Sequence, residues 1–201
     1  MPFWKRSFDL LFGLTLALVL APVMLAIGLA ILLVDGGPVF YVSDRARTPD
    51  ETFRLVKFRT MRPDPGDRGA SGGHKEHRVT RTGRFLRRSR IDELPQLWNI
   101  LRGDMSFVGP RPPLMLYVRR FPEIYREVLS CRPGVTGLAS VFYHEHEERL
   151  LRTTTGDQDN ETIYERRCIP RKARLDMIYA ENRSLRLDIW LILATLSRRF
   201  R

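Results

Sequence analysis

At 201 residues, the chain is long enough to bury one core and too short for two complete enzymatic domains. Its net charge of +11 comes almost entirely from arginine, whose planar guanidinium matches phosphate oxygens in pairs, so nucleic acid, anionic lipid and nucleotide-sugar all fit the charge. The two cysteines, Cys131 and Cys168, lack a CxxC or Cys/His spacing, which argues against a disulfide framework and against a structural zinc site.

The first predicted element is an apolar segment from Leu10 to Val34, which runs for twenty-five residues without a charge. As a continuous helix it would be about 37 Å long, enough to cross a hydrocarbon core of about 30 Å. The run is too long for the apolar region of a typical secretory signal, and no clear cleavage site follows it. The segment therefore predicts membrane insertion.

Pro22 lies near the middle of this segment and affects how it inserts. Proline has no backbone N–H, and its ring pushes against the carbonyl of Leu18, so a bend is expected there. The bent segment could cross the bilayer, or it could enter one leaflet and return as a re-entrant helix–break–helix. Lys5 and Arg6 favour a cytoplasmic N-terminus, and the basic chain after Asp35 favours the same side. The residues alone leave both topologies open.

The remaining elements predict an α+β fold that is mainly helical, with a small β element. Short strands are expected at 39–42 and 53–58 around a polar turn, and a surface loop is expected at 63–75. Helices are predicted at 82–89, 94–101, 114–130 and 169–182, with a turn at 132–137.

Two of these helices carry apolar patterns with a specific interpretation. Leu94, Leu97, Trp98 and Leu101 share one face of their helix, which predicts core packing. The last helix, at 185–200, combines leucines and a tryptophan with basic ends, as expected of an amphipathic helix in the membrane interface. A terminal packing helix is the alternative.

An acidic pair, Asp92 and Glu93, directly follows an arginine-rich segment that contains Arg81, Arg84, Arg87, Arg88 and Arg90. One interpretation is structural, since an aspartate before a helix caps free amide donors and contributes about 1 kcal/mol. The other is chemical. Carboxylates among so many arginines are expected to form ion pairs, which would lower their pKa and keep them ionised. An ionised carboxylate near a helix start can bind magnesium, attack phosphorus or do both.

A longer pattern surrounds this pair, made of residues 57–61, 91–99, 103–112, 132–137 and 175–182. In order and composition it resembles the bacterial sugar transferases, specifically the monotopic phosphoglycosyl transferases. The resemblance covers nearly the whole chain, including the proline-containing N-terminal segment, and indicates the minimal catalytic form. It implies a re-entrant membrane anchor over residues 1–36 and a cytoplasmic catalytic domain over residues 37–201.

The resemblance implies transfer of a sugar-1-phosphate from a UDP-sugar to a polyprenyl (undecaprenyl) phosphate with release of UMP, initiating bacterial glycoconjugate synthesis. In this family the aspartate that matches Asp92 attacks the sugar-bearing phosphate, and the lipid phosphate then displaces it. Glu93 would help to hold Mg²⁺ or to orient the site, so both carboxylates are implied metal ligands. The implied substrate-binding residues are Lys57, Arg59, Arg87, Asp176 and Arg111, which is fixed between two prolines.

The implied location is the cytoplasmic face of the bacterial inner membrane, where the acceptor would arrive through the inner leaflet. Nucleic acid is not an expected partner, and the oligomeric state, a homodimer included, stays open. The alternative from another class is a membrane-anchored basic nucleic-acid-binding protein. It would explain the charge but not the ordered Asp-Glu and Pro-Arg-Pro elements.

Two features depart from the family pattern. Ala21 precedes Pro22 where many members carry a serine, so the break is less firmly specified. Residues 140–148 replace a Gln-Val-Asn-Gly-Arg-like segment, so sugar recognition is expected to differ. His144 and His146 in this segment could bind a metal, although paired histidines in an acidic loop are more often solvated.

Overall fold

Helices dominate the computed structural model, which describes residues 1–63, 77–152 and 157–199. The helices are α1 (Phe3–Asp35), α2 (Arg81–Ser89), α3 (Gln96–Arg102), α4 (Met115–Arg120), α5 (Pro122–Val128), α6 (Leu138–Phe142), α7 (His144–Arg152), α8 (Asp157–Ile163), α9 (Ile169–Asn182) and α10 (Leu185–Arg199). The strands are β1 (Phe40–Ala46), β2 (Thr52–Phe58), β3 (Ser106–Val108) and β4 (Gly134–Thr136). This confirms the mainly helical α+β prediction. Apart from its first residue, the predicted loop at 63–75 lies outside the described residues.

Helix α1 packs through one face and leaves the rest of its surface apolar and exposed. The buried residues of this helix are Lys5, Asp9, Gly13 and Ile31, which recur at helical spacing toward the body. Leu33, on another face, is 85 % exposed. Among the described residues, α1 is the helix that is long and apolar enough to cross a membrane.

Helix α1 continues through Pro22, so the predicted interruption of the helix is not observed. Proline removes only one backbone hydrogen bond, and side-chain packing on both sides of it supports the helix. Leu16 and Leu20 pack against the main core, while Met24 and Ile27 pack against a smaller cluster that includes Phe58 and Leu86. The division of the chain at residue 36 stays a prediction.

The N-terminal end of α1 is held by a buried polar cluster. Lys5 forms an ion pair with Asp188 of α10 and donates to the hydroxyl of Tyr179 at 2.9 Å. Tyr179 in turn donates to Asp188 Oδ1 at 2.6 Å. Nearby, Asp9 Oδ1 accepts from the Ser106 hydroxyl at 3.1 Å. These bonds fix the first turns of α1 against β3, α9 and α10.

The C-terminal end of α1 is held by the same body. Arg59, just after β2, donates to the main-chain carbonyls of Asp35 and Gly37 at 3.0 and 2.7 Å and also to that of Gly36. The Thr82 hydroxyl of α2 bonds to the Asp35 carboxylate. A cation at the last carbonyls of a helix is favourable because they carry partial negative charge. Both ends of α1 therefore contact one body.

The β structure consists of two small pairs. β1 and β2 form an antiparallel hairpin with Phe40 opposite Phe58, which confirms the predicted strands and extends the first. β3 and β4 form a parallel pair, so part of the predicted turn at 132–137 is a strand. The pair is close because Gly109 and Gly134 face each other, and a Cβ on Gly134 would lie 2.1 Å from the Gly109 nitrogen.

Two other predictions change in the structure. The single helix expected at 114–130 is divided into α4 and α5, because Phe121 precedes Pro122 and leaves the helical region. Trp98 is 59 % exposed and does not join Leu97 in the core. In contrast, α9 spans the predicted residues 169–182.

The last helix, α10, has features of both predicted alternatives, a terminal packing helix and an amphipathic helix in the membrane interface. Asp188 and Leu191 are buried against the body, while Trp190 and Leu193 are 48 % and 58 % exposed. Trp190 stacks on Phe142 of α6 with their ring centroids 6.0 Å apart. This apolar exposed side fits the expected position in a membrane interface.

Candidate active site

The acidic pair lies in a short 3₁₀ turn, Ile91–Glu93, between α2 and α3. Helix α2 ends at Ser89, and the next residue, Arg90, has a left-handed backbone with a φ of 55°. Helix α3 begins after Pro95 and has no side-chain cap. Asp92 is therefore not a helix cap, and the structural interpretation of this residue is wrong.

Glu93 is buried, and one of its two carboxylate oxygens contacts two cations. Its Oε1 atom accepts from Lys57 Nζ at 2.8 Å and from Arg111 at 3.0 Å. Burial alone would raise the pKa of Glu93, but Arg111 and Lys57 outweigh it and hold that pKa well below the ordinary value. Glu93 therefore stays ionised and fixes two cations at one point.

Asp92, the neighbouring carboxylate, is also buried, at 9 % exposure, yet within residues 1–63, 77–152 and 157–199 it has no hydrogen bond or ion pair. Burial raises its pKa, and the adjacent Glu93 raises it further. Lys57, Arg87 and Arg111 oppose this rise through space without contacting the carboxylate. The expectation of a lowered pKa is thus confirmed for Glu93 and wrong for Asp92.

The arginine-rich segment is not the source of these ion pairs. Arg81, Arg84 and Arg88 lie on the exposed side of α2. The cations that contact the pair come instead from β2, through Lys57, and from the Pro-Arg-Pro turn, through Arg111. Such partners are distant in sequence, so local charge density did not identify them.

Two predicted phosphate-binding residues are positioned beside the pair. Lys57 is largely buried, and burial, with Arg111 nearby, lowers its pKa. The side chain of Arg111 remains 43 % exposed and uses one nitrogen for Glu93. The remaining guanidinium N–H groups of Arg111 can therefore bind an anion that arrives from solvent.

Arg87 lies at the edge of the same site. It donates through Nε to the Thr60 hydroxyl at 2.9 Å and is mostly exposed, while its charge acts on Asp92. The hydrogen bond to Thr60 orients the guanidinium, which can still contact a phosphate.

Arg59 and Asp176 are placed elsewhere. Arg59 donates to the carbonyls at the end of α1, so the geometry gives it an anchoring contact. Asp176 is buried in α9, where burial raises its pKa to about 7 against the influence of Lys172 and of the Ala139 amide. Neither residue contacts the acidic pair, and the substrate role of both stays a prediction.

Arg90 and His144 form a contact that the sequence did not predict. The Arg90 guanidinium contacts Nε2 of His144 across 54 positions of chain, and the Glu148 carboxylate lies 3.4 Å from the same nitrogen. Burial and the Arg90 charge lower the pKa of His144, which favours the neutral ring. In the sequence, the departure of residues 140–148 from the family pattern was the feature that could have indicated a contact made by this segment. No group of three or more His, Cys, Asp or Glu that could hold a metal occurs in the described parts of the chain.

The acidic pair has residue types that can bind magnesium. Magnesium is held by one or two carboxylates and completes its coordination with waters and substrate phosphates. Within the described residues Asp92 offers a carboxylate without a partner, while Lys57 and Arg111 contact only Oε1 of Glu93. The pair therefore fits an ion that Asp92 and Oε2 of Glu93 would hold together with substrate phosphates, rather than a cage formed by protein alone.

Comparison with known proteins shows the family to which the chain belongs. A family model described as bacterial sugar transferase matches residues 1–201. The chain is 34% identical over 200 residues to the UDP-N-acetylgalactosamine-undecaprenyl-phosphate N-acetylgalactosaminephosphotransferase of Aeromonas hydrophila, which covers 96% of this chain and 43% of that protein. It is 36% identical over 203 residues to the undecaprenyl-phosphate glucose phosphotransferase of Komagataeibacter xylinus, with 96% and 35% covered.

A third relative is the UDP-glucose:undecaprenyl-phosphate glucose-1-phosphate transferase of Caulobacter vibrioides, 38% identical over 196 residues, with 95% of this chain and 67% of that protein covered. The chain thus spans between 35% and 67% of the length of these three relatives. Since the family model covers the whole chain and the motifs around Asp92 lie inside the match, the chain belongs to the bacterial sugar transferase family.

Proposed function

We propose that this chain transfers a sugar-1-phosphate from a UDP-sugar to undecaprenyl phosphate and releases UMP, through a covalent intermediate on Asp92. One observation carries the proposal: two adjacent buried carboxylates differ completely in their partners. Glu93 is neutralised by Lys57 and Arg111, whereas Asp92 has no partner among the described residues. A buried carboxylate without a partner has its oxygens available for attack on phosphorus.

In the first step, an oxygen of Asp92 forms a bond to the phosphorus that carries the sugar. The bond from that phosphorus to the bridging oxygen breaks, and UMP leaves with the electron pair. In the second step, an oxygen of the lipid phosphate forms a bond to the same phosphorus, the bond to Asp92 breaks, and the carboxylate is restored. The product is a lipid-linked diphosphosugar.

The positive charge of the site suits both steps. Arg111 and Lys57 meet at Glu93 Oε1, so their positions are set before substrate arrives. Prepositioned cations stabilise charge on phosphoryl oxygens more effectively than mobile ones. Magnesium, when bound with the donor diphosphate, would supply further charge neutralisation.

We also propose that α1 enters a single leaflet at the cytoplasmic face of the membrane. A helix that crossed the bilayer would separate its two ends, whereas here Arg6 and Arg59 tie opposite ends of α1 to one body. Arg6 donates to the Ile100 carbonyl at 2.7 Å. An acceptor phosphate at headgroup height would then reach the acidic turn without leaving the bilayer.

The proposal is tested by the mass of the protein after incubation with donor alone. UDP-glucose and UDP-N-acetylgalactosamine are the first donors to try, since they suit the names of the relatives. The expected result is a sugar-phosphate adduct on Asp92, found after rapid quenching, with one UMP released per protein. An active protein with no adduct on that side chain would overturn the covalent mechanism.

A further inference from the structure

A small cleft connects the membrane helix with the acidic turn. It has a volume of about 110 Å³ and lies between α1, α3 and the loop that carries β4. Leu16 and Leu20 of α1 form one wall, and Leu97 and Val135 belong to the body. Arg90 and Glu93 are the charged residues of its lining. The cleft is therefore apolar except where it meets the catalytic turn.

The volume of the cleft limits what can occupy it. It is well below the roughly 300–1,000 Å³ of pockets that bury a drug-sized ligand, so a nucleotide or a complete lipid chain does not fit inside it. A branched unit of a few carbon atoms fits. An apolar lining also disfavours ribose or a sugar, since their hydroxyls would lose hydrogen bonds to water.

The position of the cleft points to a ligand from the bilayer. Leu18 and Val19 lie between the two lining leucines of α1 and are 69 % and 64 % exposed, so the cleft borders the apolar outer surface of this helix. A hydrocarbon ligand in the lipid phase can enter the cleft without passing through water.

We propose that the cleft holds the isoprene unit next to the phosphate of the acceptor lipid, with that phosphate beside Arg90. This inference rests on the proposed function. Arg90 and Glu93 form the charged end of the cleft, and Asp92 directly precedes Glu93 in the catalytic turn, so a phosphate at this end of the cleft faces that turn. Glu93 does not repel it, because Lys57 and Arg111 neutralise that carboxylate.

This arrangement gives the second step its selectivity. The hydrocarbon in the cleft places a phosphate oxygen for attack as the bond to Asp92 breaks, and the rest of the lipid chain stays in the bilayer. The contact of His144 with Arg90 holds the guanidinium at the mouth of the cleft. Water-soluble phosphates lack the hydrocarbon and would not be held there.

The test fills the cleft without touching the charged residues. Leu20→Trp places an indole in it, and Val135→Phe fills it from the opposite wall. Leu18→Trp is the matched control, since it adds the same side chain to the exposed side of the same helix. Each variant is compared with wild type in detergent micelles of fixed composition, after its thermal unfolding shows that it is folded.

Two readouts separate the two halves of the reaction. The first is the burst of UMP from donor alone, and the second is turnover against undecaprenyl phosphate concentration. Leu20→Trp and Val135→Phe are expected to keep the burst and to raise the KM for the lipid at least tenfold, while Leu18→Trp changes neither. The inference is overturned if a folded Leu20→Trp protein has the acceptor KM of Leu18→Trp, or if it loses the burst in proportion to turnover.

A second measurement tests the shape of the acceptor. Wild type is expected to use undecaprenyl phosphate better than a straight-chain alkyl phosphate at equal micelle concentration, and Leu20→Ala, which enlarges the cleft, is expected to reduce that preference. An unchanged preference in Leu20→Ala would contradict the proposal. Failure of the proposed function gives a different result, because wild type would then release no UMP from any UDP-sugar.

Discussion

Two buried clusters in this protein each join a lysine to a carboxylate, and they differ in one respect. At the base of α1, Lys5 and Asp188 satisfy each other with the help of Tyr179. At the acidic turn, Lys57 satisfies Glu93, and Asp92 beside it has no partner in the part of the chain that the structure describes. The carboxylate beside the first pair, Asp9, accepts hydrogen bonds on Oδ1 from Ser106 and Phe107 and serves the fold. The carboxylate beside the second pair, Asp92, has no hydrogen bond within the described residues, and this difference marks the reactive position.

The largest expected effect is on Asp92. Asp92→Asn should reduce turnover at least about 10⁴-fold, as removal of a nucleophile does in other enzymes. Stability should not fall, since the burial that raises the pKa of Asp92 also makes its charge unfavourable for folding. UMP release and thermal unfolding measure the two effects. If Asp92→Asn lost stability as well as activity, Asp92 would have a structural role instead of a catalytic one.

The second prediction concerns the ion pair of Lys5 with Asp188 at the base of α1. Lys5→Met leaves Asp188 buried without a cation, which should reduce the free energy of unfolding by about 3–5 kcal/mol. The folded fraction should keep the donor-dependent UMP burst. Denaturant unfolding in detergent measures the first quantity.

The control for that change replaces both partners. Lys5→Met with Asp188→Leu should recover much of the stability, because an apolar pair of similar volume replaces an ion pair at little cost. If the single and double variants are equally unstable, the cluster does not act as an ion pair.

A smaller effect is expected at Arg111. Arg111→Ala removes charged hydrogen bonds that contribute about 1.5–3 kcal/mol each, so kcat/KM should fall by about 10- to 150-fold. Arg111→Lys keeps the charge but not the planar fork, and it should recover only part of the loss. Steady-state kinetics against donor concentration test this. Full activity in Arg111→Ala would remove the residue from phosphate binding.

The last expected effect is on stability alone and concerns Asp176. Its pKa is about 7 in the folded protein and 3.8 ordinarily, so the folded protein retains a proton that the unfolded chain loses. Stability should therefore fall as the pH rises between these values, and Asp176→Asn should remove that fall. The Tm of Asp176→Asn should exceed that of wild type by more at pH 8 than at pH 5. An equal gain at both values would contradict the raised pKa.

Local patterns in the sequence predicted the local structure well. Helix α9 spans the predicted residues, and the strands at 53–58 and 39–42 pair as a hairpin. Pro22 was expected to interrupt α1, but packing of Leu16 and Met24 against two separate clusters outweighs one lost hydrogen bond. Trp98 shares its helical face with Leu97 and is nevertheless exposed, since spacing fixes a face but not what covers it.

The site was also predicted only in part, because a sequence motif, like helical spacing, does not specify which side chains are in contact. Asp92, Glu93, Lys57 and Arg111 lie together, as the resemblance to the family implies. The contact of Arg90 with His144 spans 54 positions and has no local signal. Arg59 lies two residues from Lys57 in the same motif, yet its side chain points to the end of α1. A motif therefore identified the region, and only the fold assigned the partners.

The attachment of Arg59 to the last carbonyls of α1 has a mechanical consequence. Arg59 follows β2, which carries Lys57, so a displacement of the helix end along the bilayer normal moves the strand that positions Glu93. The depth of α1 depends on the thickness of the surrounding hydrocarbon layer. Turnover in reconstituted vesicles should therefore vary with the acyl-chain length of the host lipid, even when the concentrations of donor and acceptor are held constant.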